Sequence, residues 1–238
     1  MTDALIRYRN VEIHQQELCV LNDVDLELHG GEFVYLIGKV GSGKTSLLKT
    51  FYGELDTVAG EAEVLGYDMC RIKRKHIPKL RRRLGIIFQD FQLLIDRTVA
   101  DNLEFVLRAT GWKNKGKIKA RIEEVLRQVG MENKGYKLPH ELSGGEQQRI
   151  VIARAILNSP AIILADEPTG NLDVETGYGI VRLLHDISKE EGALVVMTTH
   201  NLQLLYEFPG KIYCCKEHLL KEVTAEYALP TGNSDRQI

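Results

Sequence analysis

Phe33-Val-Tyr-Leu-Ile-Gly-Lys-Val-Gly-Ser-Gly-Lys-Thr-Ser46 decides the fold. Its apolar opening, Phe33 to Ile37, has no polar face, so it reads as a strand covered on both sides, as strands of a parallel sheet are. Gly38 closes that strand. Gly38-Lys-Val-Gly-Ser-Gly-Lys-Thr45 then fits G-x-x-x-x-G-K-[ST], in which glycines let successive backbone N–H groups curl around phosphate at a helix N-terminus. By chance the fixed positions of this motif arise in on the order of one chain in a hundred of this length, so context decides. An apolar strand ends at the first glycine and Ser46-Leu-Leu-Lys49 continues as a helix. Gly38, Gly41, Ser42, Gly43, Lys44, Thr45 and Ser46 are therefore the expected phosphate-binding residues, with Lys44 reaching the β- and γ-phosphates and Thr45 ligating Mg²⁺.

Working outward, Leu84–Phe88, Ala161–Ala165 and Ala193–Met197 repeat the buried-strand texture. Gly179–Ser188 places Ile180, Leu183, Leu184 and Ile187 on one helical face. Strands alternating with helices predict an α/β core with a parallel sheet. Leu5 to Leu28 alternates instead, as in Val24-Asp-Leu-Glu-Leu28, which predicts half-exposed antiparallel strands. From about 95 the strand signals vanish. Val99–Ala109 and Ile118–Val129 read as amphipathic helices, and Lys113, Lys115, Lys117 and Lys119 alternate too fast for one helical face, so they are expected on a solvated loop. The expected division is a core of residues 1–94 and 161–222, a helical subdomain inserted at about 95–160, and a C-terminal tail at 223–238 whose last ten residues are polar and turn-forming.

Two further motifs carry chemistry. Ile162-Ile-Leu-Ala-Asp166-Glu167 is an apolar strand ending in paired carboxylates, which fits Asp166 beside Mg²⁺ and Glu167 beside an attacking water. Leu142-Ser-Gly-Gly-Glu-Gln-Gln-Arg149 opens a helix. Ser143 and Glu146 form a capping box, and Gly144 and Gly145 leave bare N–H groups and a positive dipole end facing outward, a second hand for a phosphate.

With these motifs in order, the chain resembles the P-loop ATPase cassette of the ATP-binding cassette (ABC) superfamily from roughly Leu5 to Leu220. The resemblance implies ATP hydrolysis with ATP and Mg²⁺ as ligands. It implies that Gln89, after Ile86-Ile-Phe88, contacts Mg²⁺ and water and links the nucleotide to the membrane partner, that Glu167 is the catalytic base or water-polarising residue, that His200 in Met197-Thr-Thr-His200 contacts the γ-phosphate, and that Asn171-Leu-Asp173 crosses to a partner subunit. Because the helical lobe stands away from the core in that family, Ser143, Gly144, Gly145 and Glu146 are expected to reach a second chain's nucleotide, in a head-to-tail, ATP-dependent homodimer. The family commonly stacks adenine on an aromatic residue upstream of the P-loop. Here that stretch is Val11-Glu-Ile-His-Gln-Gln-Glu17, so His14 or Gln15 falls at the place, with Tyr8 as another aromatic nearby. Inside the P-loop, Lys39-Val40 replaces the small or polar residues often found there.

Phe88-Gln-Asp-Phe-Gln-Leu-Leu-Ile-Asp-Arg-Thr-Val-Ala-Asp-Asn-Leu103 resembles the FtsE-type cell-division branch. That implies an integral membrane partner, an FtsX-like permease, and control of cell-wall hydrolysis. Lipoprotein-release and macrolide-efflux ATPases share Asp166-Glu-Pro-Thr-Gly-Asn-Leu-Asp173 and stand as the alternative. Cassettes acting on DNA or ribosomes typically carry coiled-coil or zinc insertions or a second cassette, and none is visible.

Composition agrees. Among 238 residues, 31 Lys+Arg against 33 Asp+Glu give a net charge of −2, which removes the general positive field of a nucleic-acid binder; no nucleic acid is expected. The longest apolar runs fall far short of the roughly 20 residues that span a bilayer, and the N-terminus lacks a secretory pattern. The expected location is peripheral, on the cytoplasmic face of a bacterial inner membrane. Cys19, Cys70, Cys214 and Cys215 show no disulfide or metal spacing and read as reduced, structural thiols. The basic run Arg71–Arg83 reads as a solvated face, with attraction to an anionic membrane surface as the other reading.

Overall fold

The structure, a computed structural model, describes residues 3–227; the tail residues from Ala228 onward lie outside the described part. In chain order the elements are β1 (Ile6–Gln15), β2 (Leu18–Leu28), β3 (Phe33–Ile37), α1 (Lys44–Phe51), β4 (Thr57–Val64), β5 (Tyr67–Asp68), α2 (Ile77–Arg81), β6 (Leu84–Ile87), α3 (Val99–Ala109), α4 (Lys115–Gln128), α5 (Gly144–Ile156), β7 (Ile162–Ala165), α6 (Val174–Glu191), β8 (Leu194–Thr198), α7 (Gln203–Glu207), β9 (Lys211–Lys216), β10 (Leu219–Glu222) and α8 (Thr224–Tyr227). The strands form two sheets. One is antiparallel, in the order β2-β1-β4-β5; the other runs β10-β9-β3-β8-β7-β6 and is parallel apart from β10.

The expected mixed α/β architecture, a parallel core sheet with an antiparallel subdomain and inserted helices, is what the chain adopts. Its central strand shows why the opening run had to be apolar throughout. Phe33, Tyr35 and Ile37 face one core, shared with α3, α4, α5 and α6, while Val34 and Leu36 face a second core, shared with α1 and the antiparallel sheet. All five residues are buried, and at about 1.5–3 kcal/mol for a fully buried large apolar side chain, each face holds the strand strongly. The same alternation recurs at Ile163 and Ala165 against Ile162 and Leu164, and at Val195 and Met197 against Leu194 and Val196.

Local chemistry fixes the helices. Thr98 caps α3 by accepting from the Asp101 N–H at 3.1 Å, and Asp173 caps α6 by accepting from the Thr176 N–H at 2.9 Å. Gly192, at φ 66°, ends α6 in the left-handed region. The helix expected at Gly179–Ser188 is longer at both ends; Gly177 and Gly179 weaken its N-terminal pattern, and the Asp173 cap supplies what propensity lacks. The lysine loop is corrected too. Asn114 accepts from the Lys117 N–H at 3.0 Å and starts α4 at Lys115, so Lys115, Lys117 and Lys119 lie in its first turns, exposed around a stripe of Ile118 and Ile122.

Two regions escape a reading by periodicity. β4 carries Gly60 at φ 82°, pressed against the Arg9 and Asn10 carbonyls of β1, and its exposed middle hides the alternation. Part of the basic run is structural: Arg81 donates from Nε to the Tyr52 carbonyl at 2.9 Å and from Nη2 to the Gly53 carbonyl at 3.2 Å. After Glu222 the chain continues in order through α8. The Val223 N–H bonds the Ile212 carbonyl at 2.8 Å, and Thr224 Oγ1 accepts from the Ile212 N–H at 3.0 Å.

Candidate active site

The loop between β3 and α1 holds three glycines in the positive-φ region, at 142° (Gly38), 79° (Gly41) and 100° (Gly43). Side chains are excluded for a second reason at two of them. A Cβ on Gly38 would lie 2.4 Å from the Cys215 carbonyl oxygen, and one on Gly43 would lie 2.7 Å from Val20 Cγ1. The loop is thereby clamped between β9 and β2. Lys44 is buried, and its Nζ donates to the Gly38 and Lys39 carbonyls at 2.9 and 3.0 Å. Ser42 Oγ is also buried and makes no hydrogen bond to the protein. α1 has neither a capping side chain nor an acidic residue in its first turn. An orphaned hydroxyl, uncapped N–H groups and an ammonium at a helix N-terminus are the donor set a phosphate chain requires.

Across the sheet, β7 and β8 deliver the acidic half. Asp166 Oδ1 accepts from Thr45 Oγ1 at 3.1 Å and from Thr198 Oγ1 at 2.7 Å. Thr198 Oγ1 in turn accepts from the Glu167 N–H at 2.8 Å. Glu167 occupies φ 46°, an uncommon conformation for this residue type, and its Oε1 lies 3.1 Å from His200 Nδ1. Thr198 is fully buried and ties both carboxylate-bearing residues to β8. Sequence reading passed it over, although Met197-Thr-Thr-His200 held the signal: a threonine closing a buried strand two residues before the histidine.

One carboxylate, Asp166, and one hydroxyl, Thr45, meet here, with Gln89 on the same cleft. Among the described residues no group of three or more His, Cys, Asp or Glu could hold a metal by itself. This suits Mg²⁺, which binds through one or two carboxylates together with substrate phosphates rather than in an all-protein cage.

These parts line a cleft of about 850 Å³ that takes in the P-loop, Thr45, Ser46, Gln89, Glu167 and His200. Beyond the phosphate-binding half it is lined by Gln15, Leu18, Val20, Glu217 and His218, and among the described residues no Phe, Tyr or Trp stands in its wall. Of the residues expected near the base, the structure brings Gln15 to the cleft. His14 lies with its Nε2 3.2 Å from Glu12 Oε2, two residues away on the same face of β1, opposite the buried Ile13. Tyr8 is buried in the core against Phe51 and donates to Thr50 Oγ1.

The other expected residues sit elsewhere. Ser143 Oγ accepts from the Glu146 N–H at 3.3 Å while Glu146 Oε2 accepts from the Ser143 N–H at 2.9 Å, a reciprocal cap. The Ser143 N–H and then Lys134, at 3.1 Å, hold the Glu146 carboxyl below its usual range. A Cβ on Gly145 would lie 2.5 Å from Thr176 Cγ2, so the start of α5 is seated on the start of α6. Ser143, Gly144, Gly145 and Glu146 are not among the residues lining the phosphate cleft. Within one chain, then, the P-loop and the Ser143–Glu146 helix start remain apart. The link between them is indirect: Asn171 Nδ2 donates to the Gln89 carbonyl at 3.2 Å, and Arg154 of α5 donates from its guanidinium to the Phe91 and Gln92 carbonyls.

The profile of the ABC transporter family matches residues 21–170. The chain is 43% identical, over 205 residues covering 86% of each sequence, to the cell division ATP-binding protein FtsE of Streptococcus pneumoniae serotype 2 (strain D39 / NCTC 7466). It superposes on cbiO1 from Clostridium perfringens, part of the ABC transporter complex cbiONQ, with a TM-score of 0.86 at 26% identity, covering 94% of this chain and 90% of the other. A dimeric post-hydrolysis state of the ATP-binding cassette MJ0796, bound to ADP and Pi, matches with a TM-score of 0.79 at 31% identity, covering 92% and 98%.

Proposed function

The chain belongs to the ABC transporter family and is an ATP-hydrolysing cassette; from that premise we propose that it is the motor subunit of a cell-division membrane complex. Likeness to the cell-division relative over most of both chains supports the division role. Among the described residues no helix is long and apolar enough to cross a membrane, so the reading includes a separate integral partner, an FtsX-like permease, with the cassette held peripherally at the cytoplasmic face of the inner membrane. The observation that carries the catalytic reading is the chain of contacts Thr45–Asp166–Thr198–Glu167–His200, which joins the P-loop to a carboxylate poised at the same cleft.

In this mechanism Lys44 and the P-loop N–H groups hold the β- and γ-phosphates. Thr45, Asp166 and Gln89 would hold Mg²⁺, which would withdraw charge from the phosphate oxygens. Gln89 and Glu167 orient water, Glu167 accepts its proton, and His200 steadies Glu167 and meets the γ-phosphate. Phosphoryl transfer asks mainly for positioning and electrostatics, which such an array supplies. Ser143, Gly144 and Gly145 of a second copy complete the site from the far side, in a head-to-tail homodimer that ATP closes and hydrolysis opens, each nucleotide acting through its differential affinity for the two states.

The test is Glu167→Gln. ATP affinity is retained, turnover falls about 10³-fold, and light scattering detects an ATP-dependent dimer. Normal turnover by this variant overturns the mechanism. Cross-linking the ATP-bound variant in native membranes then recovers the division permease. Recovery of a lipoprotein-release or efflux permease instead moves the function to transport.

A further inference from the structure

The cleft extends past the phosphate-binding half, and the wall there has a histidine where no Phe, Tyr or Trp stands. Glu217 and His218 form the two-residue turn between β9 and β10, since Lys216 pairs directly with Leu219. Both turn residues have positive φ, 52° and 62°, as a type I′ hairpin requires. Such turns strongly favour Asn-Gly or Asp-Gly. A Glu-His pair meets the same geometry at a conformational cost, so the local backbone does not account for the choice of side chain.

His218 is also fixed in place. Its carbonyl accepts from the Asn22 N–H at 2.7 Å, and its Nδ1 lies 3.2 Å from the Val20 carbonyl. A carbonyl only accepts, so Nδ1 carries the hydrogen, and in the neutral ring Nε2 keeps its lone pair. Val20 is the residue whose side chain packs where a Cβ on Gly43 would fall. The Cys215 carbonyl, on the strand leading into the turn, stands against Gly38 in the same way. The histidine is thus tied on both sides to the loop that would hold the phosphates, at the edge of the cavity that remains once they are in place.

We propose that His218 is a nucleoside-binding residue: its imidazole provides the flat face and the acceptor against which the base and ribose of ATP rest, a role the sequence had assigned to the β1 end. This rests on ATP being the ligand of the cleft, and the experiment separates the two. His218→Gly suits the turn better than the native residue and His218→Asn tolerates the same conformation, so both variants fold while losing the ring. Calorimetric titration of each with ATP and with inorganic triphosphate reads the contact. The expected result is an ATP Kd raised about tenfold in both variants, the scale of a lost stacking contact, with the triphosphate Kd unchanged. An unchanged ATP Kd overturns the inference, as does parallel weakening of both ligands, which would mark a disturbed P-loop. If the wild-type chain binds neither ligand, the ATPase reading itself falls.

Discussion

The P-loop region and the helix start at Ser143, the two regions proposed to meet phosphate, are built on opposite plans. Around Lys44, the loop and its acidic partners are held by contacts across the sheet: β3, β7, β8 and β9 all contribute, and Thr198 by itself joins two carboxylate-bearing residues. Around Ser143 the structure is mainly local, a reciprocal cap closed within four residues, paired with the nearby Lys134 and seated on the start of α6. The first region is held in place by distant segments before any ligand arrives. The second is a finished helix end with no ligand-facing counterpart in its own chain, which is the form expected of a contribution made to another copy.

Variants on the two sides separate these plans. The largest effect is expected from Lys44→Ala, which removes the buried ammonium; ATP affinity measured on the monomer falls about a hundredfold, as for loss of a charge-assisted contact in a protected site. Retained affinity would show that the backbone N–H groups suffice. Next comes Thr198→Val, nearly the same shape without the hydroxyl. It strands the Glu167 N–H and removes the shorter of the two hydroxyl contacts on Asp166, so kcat drops by roughly ten- to a hundredfold, with a smaller change in Kd. Equal kcat in the variant would mean that the strand backbone alone positions Glu167. On the other side, Gly145→Ala drives a methyl into Thr176. Turnover falls about tenfold from a defect of around 1.4 kcal/mol, while monomer ATP affinity stays as in the wild type. A monomer binding defect there would erase the distinction between the two regions.

The smallest effect belongs to neither region and serves as a control on the scaffold between them. His185 of α6 is stacked on Phe33 with ring centroids 3.6 Å apart, and its Nε2 meets the Tyr35 hydroxyl at 3.1 Å. Burial, reinforced by Lys189 and opposed by Asp186, pushes it from 6.5 down to about 4. The unfolded chain therefore takes up this proton first. The contribution is fully present above pH 6.5 and is lost as the pH falls through that window toward 4. The melting temperature should fall by a few degrees more in the wild type than in His185→Phe between those limits. Parallel pH profiles would remove His185 from the account.

What the sequence made legible follows the same contrast. Motifs whose chemistry is carried by contiguous residues, Gly38–Thr45 and Leu142–Arg149, were readable because backbone conformation and side chain are specified together. α3 was readable to the residue because a threonine cap precedes a clear apolar stripe. What stayed hidden was held by contacts between distant segments. Thr198 looks like one more strand residue until β7 is laid beside β8. Glu217-His218 carries none of the glycine or asparagine that announces a tight hairpin, so nothing in the sequence marks the β9–β10 pair. His14 and Gln15 differ by one position, which on a strand is a change of face, and only the tertiary arrangement of the β1–β2 turn tells which of them meets the cleft.

The strand order bears on how the molecule is made. β3, which launches the P-loop, lies between β8 and β9, and those strands begin only at Leu194 and Lys211. During synthesis the N-terminal half leaves the ribosome with both edges of its most apolar strand unpaired. Neither its hydrogen bonds nor the clamp from Cys215 on Gly38 exists until the C-terminal strands arrive. Long-range parallel pairing of this kind folds slowly and exposes apolar edges while it waits. A chain interrupted before Leu194 contains the whole P-loop and neither of the strands that pair with the one launching it.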